Sequence, residues 1–203
     1  MSAPLTIGMV LFEGFEILDV FGPLEFFGRY PEQFKIVMLG ECVGPIQSAQ
    51  GPTAVADTDL TTHVDILIVP GGQGTRREVN NEAFLAALRT LADNAQYVCS
   101  VCTGAGLLAK AGLLNGKRAT TNKLAYAWAT SQGPETEWIA EARWVADGNT
   151  LTSAGVTAGM DMALALIAEI MDLDAAREAA RYAEYTWNEA PGNDPFAKLA
   201  GLV

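Results

Sequence analysis

A chain of 203 residues, half of them hydrophobic, is long enough for one large domain with a well-filled core. Its 13 Lys and Arg against 24 Asp and Glu give a net charge of −11, which excludes a clustered basic face for nucleic acid and argues against docking on an anionic membrane. Three cysteines in no disulfide pattern fit a reducing cytoplasm, and the apolar runs are too short to span a bilayer.

The start, Met1-Ser2-Ala3-Pro4, has no basic region and no cleavage motif, so no signal peptide is expected. Leu5–Phe12 reads as a first buried strand, and Phe15–Arg29 as an apolar helix kinked or broken at Gly22-Pro23. Within that segment Asp19 lies between Leu18 and Val20, an apolar place for a carboxylate. Two readings are open: a cap for a second helical piece near Pro23, or a carboxyl facing a site, its acidity altered by burial. Glu13, Glu16 and Glu25 are weaker candidates in more polar surroundings.

Phe34–Gly40 is a second strand and Pro45–Asp59 a surface hairpin around Gly51-Pro52. Asp65–Val69 is a strand that ends in Pro70-Gly71-Gly72-Gln73-Gly74. That loop lacks the ending of a phosphate loop and the dinucleotide fingerprint. A plain turn is its simplest reading; a loop whose amides approach a ligand is the other. Asn80 or Asn81 caps a helix over Glu82–Asn94, with Phe84, Leu85, Leu88 and Leu91 as one stripe.

Tyr97–Gly106, YVCSVCTGAG, carries the strongest chemical signal. A short strand stops at Cys102 and a helix opens at Thr103. The small-x-nucleophile-x-small pattern of Ser100, Cys102 and Gly104 suits a sharp strand-to-helix turn that lifts the thiol to the sheet's edge. There, amides at the helix start are expected to acidify it; a buried inert thiol is the plainer alternative. Cys99 of the same C-x-x-C lies inside the strand, and with Cys42 is read as a core thiol. Only His63 and Cys42 remain as further soft ligands, so no metal site is expected. The one histidine, His63, precedes its strand and so sits at the opposite edge from Cys102, so proton delivery falls to a carboxyl group, with Asp19 as the leading candidate.

Arg118–Thr121 reads as a strand, Lys123–Thr130 as a helix, and Ala142–Val145 with Thr150–Ser153 as a hairpin turned at Asp147-Gly148-Asn149. Helices over Thr157–Met171 and Ala175–Trp187 follow, the latter with Tyr182, Tyr185 and Trp187 facing core or a partner subunit. A single domain over 1–190 and an irregular tail over 191–203 are expected. Alternating strands and helices imply an α/β three-layer sandwich, a mostly parallel sheet with helices on both faces and a small β-hairpin. Sites in such sheets form at the carboxyl ends of strands, which makes Gly72 and Cys102 neighbours.

Several stretches together resemble the ThiJ/PfpI superfamily: Leu18-Asp19-Val20-Phe21-Gly22-Pro23-Leu24-Glu25, Ile68–Gly74, Ser100–Gly104, Arg118–Thr121 and Leu151–Asp161. The resemblance covers nearly the whole chain and implies a class I glutamine amidotransferase-like, flavodoxin-like fold. Within it the residues are most similar to the isocyanide-hydrating branch, with Asp in Leu-Asp-x-x-Gly-Pro and Cys-Thr at the elbow, as Asp19, Cys102 and Thr103 stand here. Protease-like and glyoxalase-like branches usually carry Glu at the first position and His at or near the Cys. One departure is Asn122, where the hydrating branch has His after Ala-Thr-Thr; it bears on substrate identity. Regulators of the AraC type add a helix-turn-helix region, for which no room is expected here.

The resemblance implies hydration of a small uncharged isocyanide to an N-substituted formamide through a thioimidate on Cys102. Asp19 relays protons, amides at Thr103 and Gly72 steady developing charge, and Gly71 and Gly72 are the binding residues. Phe21 and Val156 would line an apolar pocket. No cofactor, no metal, no nucleic acid and no membrane are implied, and a cytoplasmic homodimer is. The alternatives are a redox-sensing or ligand-binding protein, and a hydrolase or deglycase on the same scaffold.

Overall fold

In chain order the elements are β1 (Leu5–Val10), α1 (Ile17–Phe27), β2 (Phe34–Gly40), β3 (Gly44–Gln47), β4 (Thr53–Ala56), β5 (Thr58–Asp59) and β6 (Ile66–Val69). Then follow α2 (Thr75–Glu78), α3 (Glu82–Asn94), β7 (Tyr97–Ser100), α4 (Gly104–Lys110), β8 (Arg118–Ala119), α5 (Tyr126–Ser131) and β9 (Glu137–Trp138). The chain closes with β10 (Trp144–Asp147), β11 (Thr150–Ser153), α6 (Ala158–Ile170), α7 (Leu173–Tyr182) and α8 (Pro195–Leu199). The structure is a computed structural model that describes residues 3–203; Met1 and Ser2, the start of the N-terminal stretch read above, lie outside the described residues.

The apolar runs form the middle of a seven-stranded sheet ordered β10-β11-β7-β6-β1-β2-β5. Every neighbouring pair is parallel except the β10–β11 hairpin at one edge. Parallel strands covered on both faces bury side chains without alternation, and all four residues of β6 are buried. The helices fall into two groups: α1, α6 and α7 pack together, and α4 packs with α2, α3 and α5. They are the outer layers of the flavodoxin-like arrangement. The α3 stripe is buried as its spacing predicts, and Asn81 caps that helix by accepting from the Phe84 amide at 3.2 Å.

The structure corrects several local readings. Pro23 lies inside a single α1 with no second helical piece, and Asp19 caps nothing there. Gly22 is needed for close packing instead: a Cβ there would stand 2.9 Å from Met160 Cγ on α6. The 45–59 stretch is hairpin only as far as Ala56, because Thr58–Asp59 leaves it to pair with β2 at the sheet edge. Arg118–Ala119 joins β9 in a separate two-stranded sheet.

Helix α7 stops at Tyr182, and Glu184 turns the chain with φ +49°. Tyr185 and Trp187 then hydrogen-bond Asp161 of α6, whereas Tyr182 is exposed under Arg29. The tail is not irregular throughout: Asp194 caps α8, and the Pro191 carbonyl accepts from the Arg143 amide. Cys42 is exposed and not a core thiol, while Cys99 is buried.

Candidate active site

β6 and β7 run parallel and adjacent, so the loops after them share one edge of the sheet. The turn after β7 is as sharp as the small residues predict. Cys102 has φ +57°, a left-handed conformation that costs a β-carbon residue about 1–2 kcal/mol. Its backbone is held there at both polar atoms: its amide donates to Ala154 O at 3.1 Å, and its carbonyl accepts from Thr121 Oγ1 at 2.8 Å. Gly104 is forced by space, since a Cβ would stand 2.2 Å from the Val69 carbonyl oxygen.

The loop after β6 wraps this turn. The Gly71 amide donates to Asp19 Oδ2 at 2.8 Å, across 52 residues of sequence. The Gly72 amide donates to Thr103 Oγ1 at 3.1 Å, and Thr75 Oγ1 donates to the same hydroxyl at 3.3 Å. These bonds assign both glycine amides. They orient Asp19 and Thr103 and are not free donors, which corrects the expectation that Gly72 steadies charge on a substrate. Gly71 has no room for a side chain, because a Cβ would lie 2.6 Å from the Thr103 amide nitrogen.

Asp19 is completely buried on α1, and its Oδ1 has no hydrogen-bond partner among the described residues. Burial pushes the carboxyl up to about 8, with Glu16 adding to the rise; the Gly71 amide and the neighbouring Cys102 thiol oppose it. At neutral pH it therefore keeps its proton. Burial and the Asp19 charge push the Cys102 thiol up as well, to about 12. The expected acidic thiol is not what the site provides. Three N–H groups do face the sulfur and favour its anion: the Val156 and Thr103 amides and Asn122 Nδ2, the last at 3.2 Å.

Asn122 and Val156 were read from sequence as bearing on substrate identity and as pocket wall, not as donors to the sulfur. Asn122 is locked because its Oδ1 accepts from the Ala125 amide at 2.9 Å, so Nδ2 must face Sγ. Gly155 makes room for it, since a Cβ there would lie 2.5 Å from Nδ2. Val156 turns its amide to the sulfur by adopting φ +43°, which a β-branched residue rarely does. Strain of this kind, of order 1–3 kcal/mol, concentrates at functional sites.

The thiol opens onto a cavity of about 560 Å³. Leu124, Trp128 and Val156 supply apolar wall, and Glu16, Arg76 and Asn122 polar wall. Phe21 is not part of it, being 46% exposed on the outer side of α1. His63 lies before β6, at the amino edge of the sheet, where it is exposed beside Asp65. Among the described residues no three His, Cys, Asp or Glu side chains are grouped to hold a metal, and no helix is long and apolar enough to cross a membrane.

Comparison with known proteins agrees with this geometry. The pattern of the DJ-1/PfpI family matches residues 6–169. The chain is 36% identical to the isonitrile hydratase of Pseudomonas putida over 187 residues, 89% of this chain and 78% of that protein. It is 31% identical over 172 residues to the transcriptional regulator GbdR of Pseudomonas aeruginosa, covering 81% of this chain but 46% of the regulator. A ThiJ/PfpI family crystal structure from Pseudomonas syringae superposes with a TM-score of 0.82 at 31% identity, over 92% of this chain and 77% of that one. The strained cysteine elbow, the parallel sheet that positions it and these likenesses together place the chain in the DJ-1/PfpI family.

Proposed function

We propose that this protein hydrates an isocyanide, R–N≡C, to an N-substituted formamide through a covalent intermediate on Cys102. The observation that carries the reading is the pairing of an incompletely bonded, buried Asp19 carboxyl with a thiol that three N–H donors surround. The likeness to the Pseudomonas putida isonitrile hydratase supports it.

The terminal carbon of an isocyanide accepts a nucleophile and a proton at the same atom. Sγ bonds to that carbon, and the thiol proton reaches it by way of Asp19, giving the thioimidate R–N=CH–S. Water then adds: its oxygen bonds to the carbon and a proton goes to nitrogen. The tetrahedral adduct collapses, the C–S bond breaks, and the hydroxyl proton returns through Asp19 to sulfur. Thiol and carboxyl are regenerated, and R–NH–CHO leaves. Asn122, Val156 and Thr103 hold the sulfur's charge in both halves. No leaving amine needs an imidazole, which suits a site whose proton partner is a carboxyl.

The redox-sensing alternative fits less well, because oxidation needs thiolate character and access, and Cys102 is 6% exposed with its thiol pushed up. On the family resemblance we read the protein as a cytoplasmic homodimer. The test is incubation with para-nitrophenyl isocyanide and identification of the product. Formamide from the wild type and none from Cys102→Ala is the expected result; equal turnover by both would refute the covalent route.

A further inference from the structure

The cavity outside Cys102 holds a cation that the hydration chemistry does not use. Arg76 follows the loop after β6, and its guanidinium lies over the Trp128 ring, 4.0 Å from the centroid. Nη1 is anchored, donating to Thr75 Oγ1 at 2.9 Å and to Gly72 O at 3.3 Å. Nε and Nη2 have no protein acceptor among the described residues, and no carboxylate pairs with Arg76 there. Glu16 lines the same cavity, but its Oε1 accepts from Gln50 Nε2 at 2.7 Å, and it stands beside Asp19, raising that group.

A fixed, half-buried guanidinium with a free edge, in a chain of net charge −11, is an uncommon thing to keep beside a nucleophile. Two anchors and the indole face restrict its motion. A planar fork held this way is suited to a carboxylate, which takes two parallel N–H donors. The indole face adds cation–π attraction and shields the pair from water. Arg76 and Cys102 line one cavity of about 560 Å³, so a single small molecule can touch both.

We propose that Arg76 is a specificity-determining residue that binds a carboxylate on the substrate, so that the site takes small anionic electrophiles, and, resting on the hydratase reading above, isocyanides that carry a carboxylate. This departs from the uncharged substrate implied by the sequence resemblance.

The first arm of the test does not depend on hydratase activity. Wild type, Arg76→Gln and Arg76→Lys are alkylated with iodoacetate and, separately, with iodoacetamide. Sγ displaces iodide as the S–C bond forms and the C–I bond breaks; the thiol proton passes to buffer. Rates are read by mass spectrometry on the Cys102 peptide, with exposed Cys42 as internal reference. The iodoacetate-to-iodoacetamide ratio at Cys102 is expected to fall about tenfold in Arg76→Gln, as loss of a charged hydrogen bond implies. The ratio should fall only in part in Arg76→Lys, which keeps the charge but not the fork, and be unchanged at Cys42. A Cys102 ratio that ignores the charge at position 76 overturns the proposal.

Should Arg76→Gln not fold, wild type alone decides. Propionate should protect Cys102 from iodoacetamide better than propionamide does, and equal protection overturns the site. The second arm compares hydration of isocyanoacetate and its methyl ester. The ratio of their kcat/KM values should fall about tenfold in Arg76→Gln, mainly through KM. If neither compound is hydrated while the alkylation ratio still follows position 76, the anion site stands and the hydratase reading falls.

Discussion

Two aspartates in this protein are equally buried and do opposite things. Asp19 and Asp161 each sit in the first turn of a helix, each flanked by apolar residues, and each is 0% exposed. Asp161 is fully compensated. Arg143 Nε donates to it at 2.8 Å, Tyr185 Oη at 3.0 Å and the Asn188 amide at 3.0 Å. It ties the segment after α7 onto α6. Asp19 has one backbone amide, an oxygen without a partner, and a thiol beside it. Burial alone therefore does not mark a working carboxyl. What separates the two is whether the fold has compensated the charge. An uncompensated carboxyl holds its proton at neutral pH and can move it.

Exchanging each carboxyl for its amide sharpens the contrast most. Asp19→Asn keeps the shape and can still accept from Gly71, but it cannot relay a proton. Formamide production should drop about 10²–10⁴-fold, with the melting temperature unchanged or raised. Asp161→Asn should reverse the pattern. It removes the nearer of the two buried carboxylates on Arg143, leaving Asp194 at 3.7 Å, so stability should fall by about 1.5–3 kcal/mol in denaturant titration, while the protein that remains folded keeps its turnover. Comparable losses of stability in both variants would erase the distinction.

Asn122→Ala comes next in size. It removes one of three donors to the sulfur, and a hydrogen bond to a charged group is worth about 1.5–3 kcal/mol. A fall in kcat/KM of about ten- to a hundredfold is expected, measured with a neutral isocyanide; no change would mean the sulfur carries no charge in the slow step.

The pH dependences follow from the raised Asp19. The reactive form is the pair with one proton removed, so kcat/KM should climb with pH through about 8 and then level off. Stability runs the other way. An unfolded Asp ionises from pH 3.8, while the folded one stays protonated to about 8, so the native state binds more protons across that window. Stability is then lost as pH rises from about 4 to about 8. Asp19→Asn should flatten that slope, whereas a slope identical in both proteins would remove Asp19 from the account.

Much of this arrangement was legible in the sequence. The small residues about Cys102 announced the turn, and an aspartate between Leu18 and Val20 announced burial. Parallel topology was enough to bring Gly71 and Gly72 to them. What they do there was not legible, because their partners lie 52 and 31 residues away. Val156 was legible as pocket wall, but not as a donor to the sulfur, since a β-branched residue at positive φ runs against its own propensity. Asn122 was visible as a departure from the resembling branch, and its contact with sulfur emerges only when the loop after β8 packs against the turn after β7. The helix at the tail had a readable start in Asp194-Pro195, a cap followed by proline in the first turn. Gly22-Pro23 misled for a different reason: packing of α1 on α6 overrides a local breaker.

The most direct measurement is the titration of Asp19 itself, by carbon-13 NMR of aspartate-labelled protein with Asp19→Asn to assign the signal. A carboxyl that ionises near pH 8 is the result predicted here. One already ionised at pH 5 would contradict it, since the pair would then have lost its first proton well below the rise in kcat/KM and the fall in stability that this account ties to pH 8.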